Sequence, residues 1–136
     1  IVFCLLDVAA RRLTITRAGH EAPIVIRGRT GLAETPSPSG LAMGLDAGAI
    51  FDDALEETVV AFEPGDVLVL YTDGITEAAD DAETEFGRER LIDCVACSRS
   101  QPIGAVVDQV DAELSRFIGT RSPGDDRTLV VVRLRA

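Results

Sequence analysis

Two aspartates of this sequence stand beside apolar segments. Asp73 follows the apolar run of residues 67–71 and precedes a glycine, and Asp125 comes shortly before the apolar run of residues 129–134. If the two runs are neighbouring strands, both carboxylates lie at one rim of a sheet. Hard oxygen ligands of this kind suit Mg²⁺ or Mn²⁺. The alternative is that both are turn aspartates that accept hydrogen bonds from loop amides, and spacing alone favours this alternative.

The other side chains that could do chemistry give weaker signals. His20 could orient a ligand or act as a base, but beside a glycine it is more typical of a structural histidine. Cys94 and Cys97 are three apart on a predicted helix. Zinc would need a second pair of ligands, and Cys4 is the only further cysteine, so we expect buried packing.

Two acidic features are interpreted without a metal. The acidic residues 80–85 lack the alternating ligands and central glycine of a calcium loop, so they are predicted to be solvated loop. Glu77 either starts a helix or lies near the site, and we favour the helix start.

Composition limits the class of partner. The 136 residues carry a formal net charge of −10, because 23 acidic residues face 13 basic residues, all of them arginine. Such a surface repels phosphate backbones and anionic lipids, so neither nucleic acid nor a membrane is expected as a partner. Three cysteines cannot all pair, and the absence of a disulfide framework fits a cytoplasmic location.

Hydrophobic patterning predicts the elements that position these residues. Residues 2–8 and a segment starting at Leu13 are predicted strands, followed by residues 24–26 in an antiparallel meander. Residues 58–62 and 67–71 are predicted to form a hairpin around a Pro-Gly turn. The second of these is apolar throughout, which indicates a strand covered on both faces.

The rest of the chain alternates between loop and helix. Residues 28–48 show no periodicity and are predicted to be a long loop. Helices are predicted over residues 88–96 and 102–118, with Pro102 in the first turn and Gly119 at the end. Residues 129–134 form a final strand, so the order predicts an α+β fold.

The strings around the two aspartates resemble a known family. Residues 64–78 include Tyr71-Thr72-Asp73-Gly74, and residues 125–132 begin Asp125-Asp126-Arg127-Thr128. Together with residues 18–20, 39–44 and 86–91, in the same order, they resemble PPM-type (type 2C-like) metal-dependent Ser/Thr protein phosphatases of the bacterial SpoIIE/RsbU-like branch. The resemblance covers about residues 2–134 and corresponds to the C-terminal half of that domain.

The resemblance implies a fold and a mechanism. The fold would be part of an α-β-β-α sandwich, with antiparallel sheets flanked by helices, in a single domain over residues 1–136. A two-metal Mn²⁺ or Mg²⁺ site would activate a water that attacks phosphoserine or phosphothreonine. Motif for motif, Asp73 and Asp125 take the positions of metal ligands and Asp126 that of a supporting or loop-capping residue. No catalytic side chain is assigned.

Two departures from the family pattern bear on activity. Arg17 stands where the family usually has asparagine, and the family's N-terminal metal motif is absent from this sequence. The chain also opens directly on a predicted strand, so we expect an N-terminally truncated domain. Two carboxylates balance only half the charge of two divalent ions. The fragment alone is therefore expected to bind metal poorly and to be inactive.

Two functional hypotheses follow. The first is a phosphatase acting on a regulatory protein, which the resemblance suggests is a phosphorylated anti-sigma-factor antagonist of the STAS class. The alternative is a non-catalytic pseudophosphatase or regulatory protein-binding module, in which the carboxylates only cap turns. In either case the expected partner is the N-terminal half of the same domain. Without that half, exposed apolar sheet surface would promote self-association.

Overall fold

A computed structural model describes residues 1–46, 48–121 and 124–135 of the protein. The strands are, in chain order, β1 Val2–Asp7, β2 Arg12–Arg17, β3 Ile24–Ile26, β4 Ala33–Glu34, β5 Glu57–Ala61, β6 Val67–Tyr71 and β7 Leu129–Arg133. The helices are α1 Ala49–Ala54, α2 Asp73–Thr76, α3 Gly87–Ser98 and α4 Ile103–Ile118. This mixture of antiparallel sheets and helices confirms the predicted α+β class.

The strands form two antiparallel sheets. One has three strands in the order β1-β2-β5, and the other has four in the order β4-β3-β6-β7. β1 and β2 pair as the predicted hairpin, with Val2 opposite Arg17 and Asp7 opposite Arg12. The neighbouring position of β6 and β7, on which the shared-rim hypothesis depends, is present, with Tyr71 opposite Leu129.

Two predicted strand pairings are wrong. β3 does not continue the meander of β1 and β2 but pairs with β4 and β6 in the other sheet. β5 and β6 do not form a hairpin either, because β5 pairs with β2 and β6 pairs with β3 and β7. The turn that holds Pro64 and Gly65 therefore passes from one sheet to the other.

Asp66 fixes this passage between the sheets. Its side chain is almost fully buried and accepts hydrogen bonds from the Glu63 amide at 3.1 Å, the Gly28 amide at 2.9 Å and Arg27 Nη1 at 2.8 Å. Arg27 also donates to the Ala61 carbonyl at the end of β5. A buried carboxylate requires such partners, and here they come from the segments that follow β3 and β5, one strand of each sheet.

β6 is covered on both faces, as its continuous apolar sequence predicts. Val67, Val69 and Tyr71 belong to the core between the four-stranded sheet and the helices. Leu68 packs in a second core between the two sheets, together with Leu13 of β2. Successive side chains of a strand point to opposite faces, so one strand contributes to both cores.

The two long helices agree with the predicted periodicity. α4 buries one stripe at helical spacing, consisting of Val106, Val110, Leu114 and Ile118. Pro102 stands immediately before the helix, with a ψ of 143°, rather than in its first turn as predicted, and Gly119 ends the helix with a φ of 63°, a conformation that favours glycine. The predicted loop over residues 28–48 contains β4, and Ala47 lies outside the described residues.

The outer face of the three-stranded sheet carries exposed apolar side chains. Leu5 is opposite Thr14, which in turn is opposite Val59, so these residues form one row across the sheet. Leu5 and Val59 are each 58% exposed, and Phe3 on the same face is 63% exposed. In the described part of the chain, no helix is long and apolar enough to cross a membrane.

Candidate metal centre and adjoining cavities

The ends of β6 and β7 are joined by Thr72, the residue that precedes Asp73. Its amide donates to the Thr128 carbonyl at 3.1 Å, and its hydroxyl donates to the Asp126 carbonyl at 3.1 Å. The same hydroxyl accepts the Thr128 amide at 2.9 Å. Thr72 therefore holds the segment that carries Asp125 against the start of α2, which carries Asp73.

Gly74 allows this close approach. A Cβ at this position would stand 2.5 Å from the Asp126 carbonyl oxygen, which is shorter than real Cβ contacts. The Asp73-Gly74 pair is thus explained by two requirements, a carboxylate at the strand end and a residue without a side chain beside the neighbouring loop.

Each of the two carboxylates uses one oxygen to cap its own loop. Oδ1 of Asp73 accepts the Gly74 amide at 2.9 Å, and Oδ1 of Asp125 accepts the Asp126 amide at 2.7 Å. Both side chains are exposed, and Oδ2 of each accepts no hydrogen bond from the described residues. The turn-capping role and a role as cation ligand are compatible, because they use different oxygens of the same carboxylate.

The two aspartates line different cavities. A cavity of about 370 Å³ is lined by Arg17, Gly19, His20, Glu21, Thr72 and Asp73. A second cavity of about 310 Å³ is lined by Asp125, Gly74, Glu77 and Arg121, among others. We call them the Asp73 cavity and the Asp125 cavity. Asp73 and Gly74, two consecutive residues of α2, line different cavities.

Glu77 does not start a helix. It lies at the C-terminal end of α2, where its amide donates to the Asp73 carbonyl at 2.7 Å, and its exposed side chain lines the Asp125 cavity. The predicted helix start is wrong because the helix is a single turn that already begins at Asp73. Glu77 is therefore a third carboxylate close to the rim.

The acidic residues 80–85 form an ordered turn. Oδ1 of Asp80 accepts the amides of Ala82 and Thr84, each at 2.9 Å, which is capping by a loop aspartate. Arg121 donates to the Asp80 carbonyl and forms an ion pair with Glu83 at 2.9 Å. This contact holds the turn beside the Asp125 cavity.

A buried tyrosine and two charged residues support the Asp73 cavity. The hydroxyl of Tyr71 lies 3.4 Å from Glu21 Oε2 and 3.1 Å from Arg88 Nε, and Arg88 pairs with Glu21 at 3.3 Å. Burial raises the pKa of Tyr71, so the phenol stays protonated. This triad was not predicted from the sequence. The signal for it was a tyrosine at the end of a buried strand, whose hydroxyl needs a partner.

The histidine and cysteine candidates have structural surroundings. His20 lines the Asp73 cavity, but its Nδ1 lies 3.2 Å from the Glu21 carbonyl, in keeping with a structural role. Cys4, Cys94 and Cys97 are free cysteines, and burial raises the pKa of the first two thiols. Cys97 is exposed, so the expectation of buried packing is wrong for that residue.

The carboxylates at the rim are suitable ligands for a divalent cation, but there are too few of them among the described residues to hold one. Carboxylate oxygens are the ligands that Mg²⁺ and Mn²⁺ prefer. Within residues 1–46, 48–121 and 124–135, however, no group of three or more His, Cys, Asp or Glu side chains could hold a metal ion. Asp73 and Asp125 therefore fit as part of a ligand set that needs further donors.

Comparison with known proteins assigns the family. Residues 1–135 match the family model of stage II sporulation protein E (SpoIIE), and the chain belongs to this family. Protein IcfG of Synechocystis is 29% identical over 133 residues, which are 97% of this chain and 20% of that protein.

Solved phosphatase domains share the fold. The SiaA-PP2C domain of Pseudomonas aeruginosa matches with a TM-score of 0.78 and 23% identity, over 98% of this chain and 50% of that one. The Mn-presoaked phosphatase domain of SpoIIE from Bacillus subtilis matches with a TM-score of 0.73 and 20% identity, over 100% and 56%. The chain thus spans about half of these solved domains. Family and fold together support a phosphatase-type function.

Proposed function

We propose that this chain forms part of a metal-dependent phosphatase domain that hydrolyses phosphoserine or phosphothreonine on a regulatory protein. The observation that carries the proposal is the Thr72 bridge, because it places Asp73 and Asp125 at the paired ends of β6 and β7. Family membership supplies the reaction class, and a phosphorylated STAS-type anti-sigma-factor antagonist is the proposed substrate. The proposed location is the cytoplasm.

In this proposal Asp73 and Asp125 each contribute Oδ2 to the ligation of Mn²⁺ or Mg²⁺, while Oδ1 keeps the loop in place. A divalent ion bound there supplies an activated water as nucleophile and charge neutralisation at the phosphoryl oxygens. The relative soaked with Mn supports the choice of metal. The missing donors are proposed to come from the half of the family domain that this chain does not span.

A non-catalytic module is the second candidate function. It is favoured by the separate cavities of the two aspartates and by the loop amides that each carboxylate already accepts. In that case Asp73 and Asp125 serve only as turn caps, and the domain would regulate a partner by binding.

Metal titration and hydrolysis in the full-length protein separate the two functions. We expect Mn²⁺-dependent hydrolysis of a phosphoserine protein, and a loss of roughly 100-fold or more in kcat for both Asp73→Asn and Asp125→Asn. Asp53→Asn is the matched control, because Asp53 is an exposed aspartate of α1 that lines neither the Asp73 cavity nor the Asp125 cavity. Hydrolysis that persists in either rim variant, or absence of Mn²⁺ binding by calorimetry in the unsubstituted protein, would overturn the phosphatase proposal.

A further inference from the structure

Arg17 places a cation in the Asp73 cavity. It is the last residue of β2, its side chain is partly buried, and it lines the cavity together with Asp73 and Glu21. It is therefore the group of opposite charge beside the proposed metal ligand. The family pattern has a neutral asparagine here, so the charge is a property of this chain.

The guanidinium of Arg17 is held in position by backbone carbonyls. Nη1 donates to the His20 carbonyl at 2.9 Å, and Nε donates to the Pro38 carbonyl at 3.4 Å. The loop that contains Gly40 also packs closely against the backbone of Arg17, because a Cβ at Gly40 would stand 1.8 Å from the Arg17 carbonyl oxygen. The side chain is thus fixed between the turn that follows β2 and the loop around Pro38.

The charge of Arg17 has no carboxylate partner in the described part of the chain. No carboxylate oxygen there lies within ion-pair distance of it, although the chain is rich in acids. Glu21, the nearest candidate along the sequence, is paired with Arg88 instead. Nη2 of Arg17 donates to none of the described residues, so one edge of the guanidinium remains available for an anion.

We propose that Arg17 is a substrate-binding residue that donates hydrogen bonds from Nη2 to a phosphoryl oxygen in the Asp73 cavity. This inference rests on the proposed function, because it specifies how that site recognises its phosphorylated substrate. Arginine suits the task because its planar, permanently charged fork matches phosphate oxygens. Prior fixation by the carbonyls lowers the entropy lost when the phosphate binds.

The test measures phosphate binding separately from catalysis. Inorganic phosphate is titrated by calorimetry into the full-length protein with Mn²⁺ present, and KM is measured on a phosphoserine peptide. Arg17→Asn restores the family residue. It should raise both the Kd for phosphate and the KM by about 10-fold, because a hydrogen bond to a charged group is lost. Arg17→Lys keeps the charge and should recover part of the affinity.

Arg99→Asn is the matched control. Arg99 is also partly buried and donates to two backbone carbonyls, those of Gly28 and Ala96, but it does not line the Asp73 cavity. A purely structural role of Arg17 would make the two asparagine variants alike, with a lower thermal midpoint and unchanged phosphate affinity. We expect the affinity to fall only in Arg17→Asn.

The outcomes distinguish this inference from the proposed function. Normal hydrolysis with unchanged phosphate affinity and KM in Arg17→Asn, or no phosphate binding in the unsubstituted protein, overturns the role of Arg17. Phosphate binding that depends on Arg17 without Mn²⁺-dependent hydrolysis supports the role and overturns the catalytic function. If Arg17→Asn does not fold, the affinity of Arg17→Lys decides, because an unchanged value contradicts recognition by the guanidinium fork.

Discussion

Gly74 and Asp126 lie so close together that the backbone of one excludes a side chain on the other. A Cβ built on Gly74 stands 2.5 Å from the Asp126 carbonyl oxygen and 3.1 Å from its carbonyl carbon. Both atoms belong to backbone, so neither can move aside by a change of rotamer. The distance between the rim segments of β6 and β7 therefore depends on the absence of this one side chain.

Gly74→Ala should displace the segment of Asp125 without removing a carboxylate. We expect Mn²⁺ affinity and kcat of the full-length protein to fall by about 10-fold or more, a typical effect of losing the support of a metal ligand. Calorimetry and initial rates measure the change. Gly104→Ala is the control, because Gly104 lies in the first turn of α4, where a Cβ meets nothing within 4 Å, and it should leave Mn²⁺ affinity and kcat unchanged. Unchanged Mn²⁺ affinity in Gly74→Ala contradicts the prediction.

Thr72→Val tests the hydroxyl that bridges the two strand ends. Valine has nearly the same shape but neither donates to the Asp126 carbonyl nor accepts the Thr128 amide. We expect a loss of about 1 kcal/mol in the free energy of unfolding and weaker Mn²⁺ binding. Urea unfolding and calorimetry check both. Thr16→Val, on the open face of β2, should change neither the free energy of unfolding nor Mn²⁺ binding. Equal values for the two variants would show that the hydrogen bonds of the Thr72 hydroxyl are unimportant.

Asp66→Asn tests the buried carboxylate at the crossing between the sheets. In asparagine an NH₂ group replaces one of the two carboxylate oxygens, so a hydrogen-bond donor would point at the N–H groups that now donate to Asp66. Arg27 would also lose part of its charge compensation. We expect about 3 kcal/mol of destabilisation, measured by urea unfolding. Glu63→Gln in the same turn breaks only an ion pair whose two side chains are 58% and 54% exposed, and should cost less than about 1 kcal/mol. Similar losses in both variants would refute the role given to Asp66.

The same arginine makes stability depend on pH through Glu34. Hydrogen bonds from Arg27 hold the pKa of Glu34 below its ordinary value of 4.5. Since the folded state has the lower pKa, the stabilisation is present above the unfolded pKa and is lost as pH falls through the folded pKa. Glu34→Gln should therefore flatten the decline of unfolding free energy below about pH 4.5, followed by urea titrations. A decline as steep as in the unsubstituted protein contradicts this.

The successes and failures of sequence prediction divide between local and distant contacts. The two covered faces of β6 and the end of α4 at Gly119 follow from local pattern and backbone preference. The predicted hairpin of residues 58–62 and 67–71 was wrong, because a Pro-Gly turn can also connect strands of two different sheets. The pairing of β6 with β3 joins segments that are far apart in the chain, and the contact between Arg27 and Asp66 beside it spans 39 residues, which no local pattern encodes.

The site divides in the same way. The sequence predicted that Asp73 and Asp125 each lie beside a strand, and the structure supplied the condition for a common rim, namely that the two strands are neighbours. The Asp73 cavity could not be predicted, because its wall combines the turn around His20 with Thr72 and Asp73, which are distant in the chain. In the sequence, Arg17 is notable only as a departure from the family pattern. The structure shows that it lines the same cavity as Asp73.

The open face of the three-stranded sheet predicts self-association of the isolated 136-residue chain. Phe3 and Leu5 are 63% and 58% exposed on one face, and water contact with such an apolar row is unfavourable. We expect light scattering after size exclusion to show dimers or larger species that increase with concentration. The double variant Phe3→Thr, Leu5→Thr keeps β propensity and should shift the chain toward monomer. Val8→Thr, at a position 59% exposed but outside β1, should leave association unchanged. A stable monomer of the unsubstituted chain at all concentrations would refute both the self-association and the half-domain hypothesis behind it.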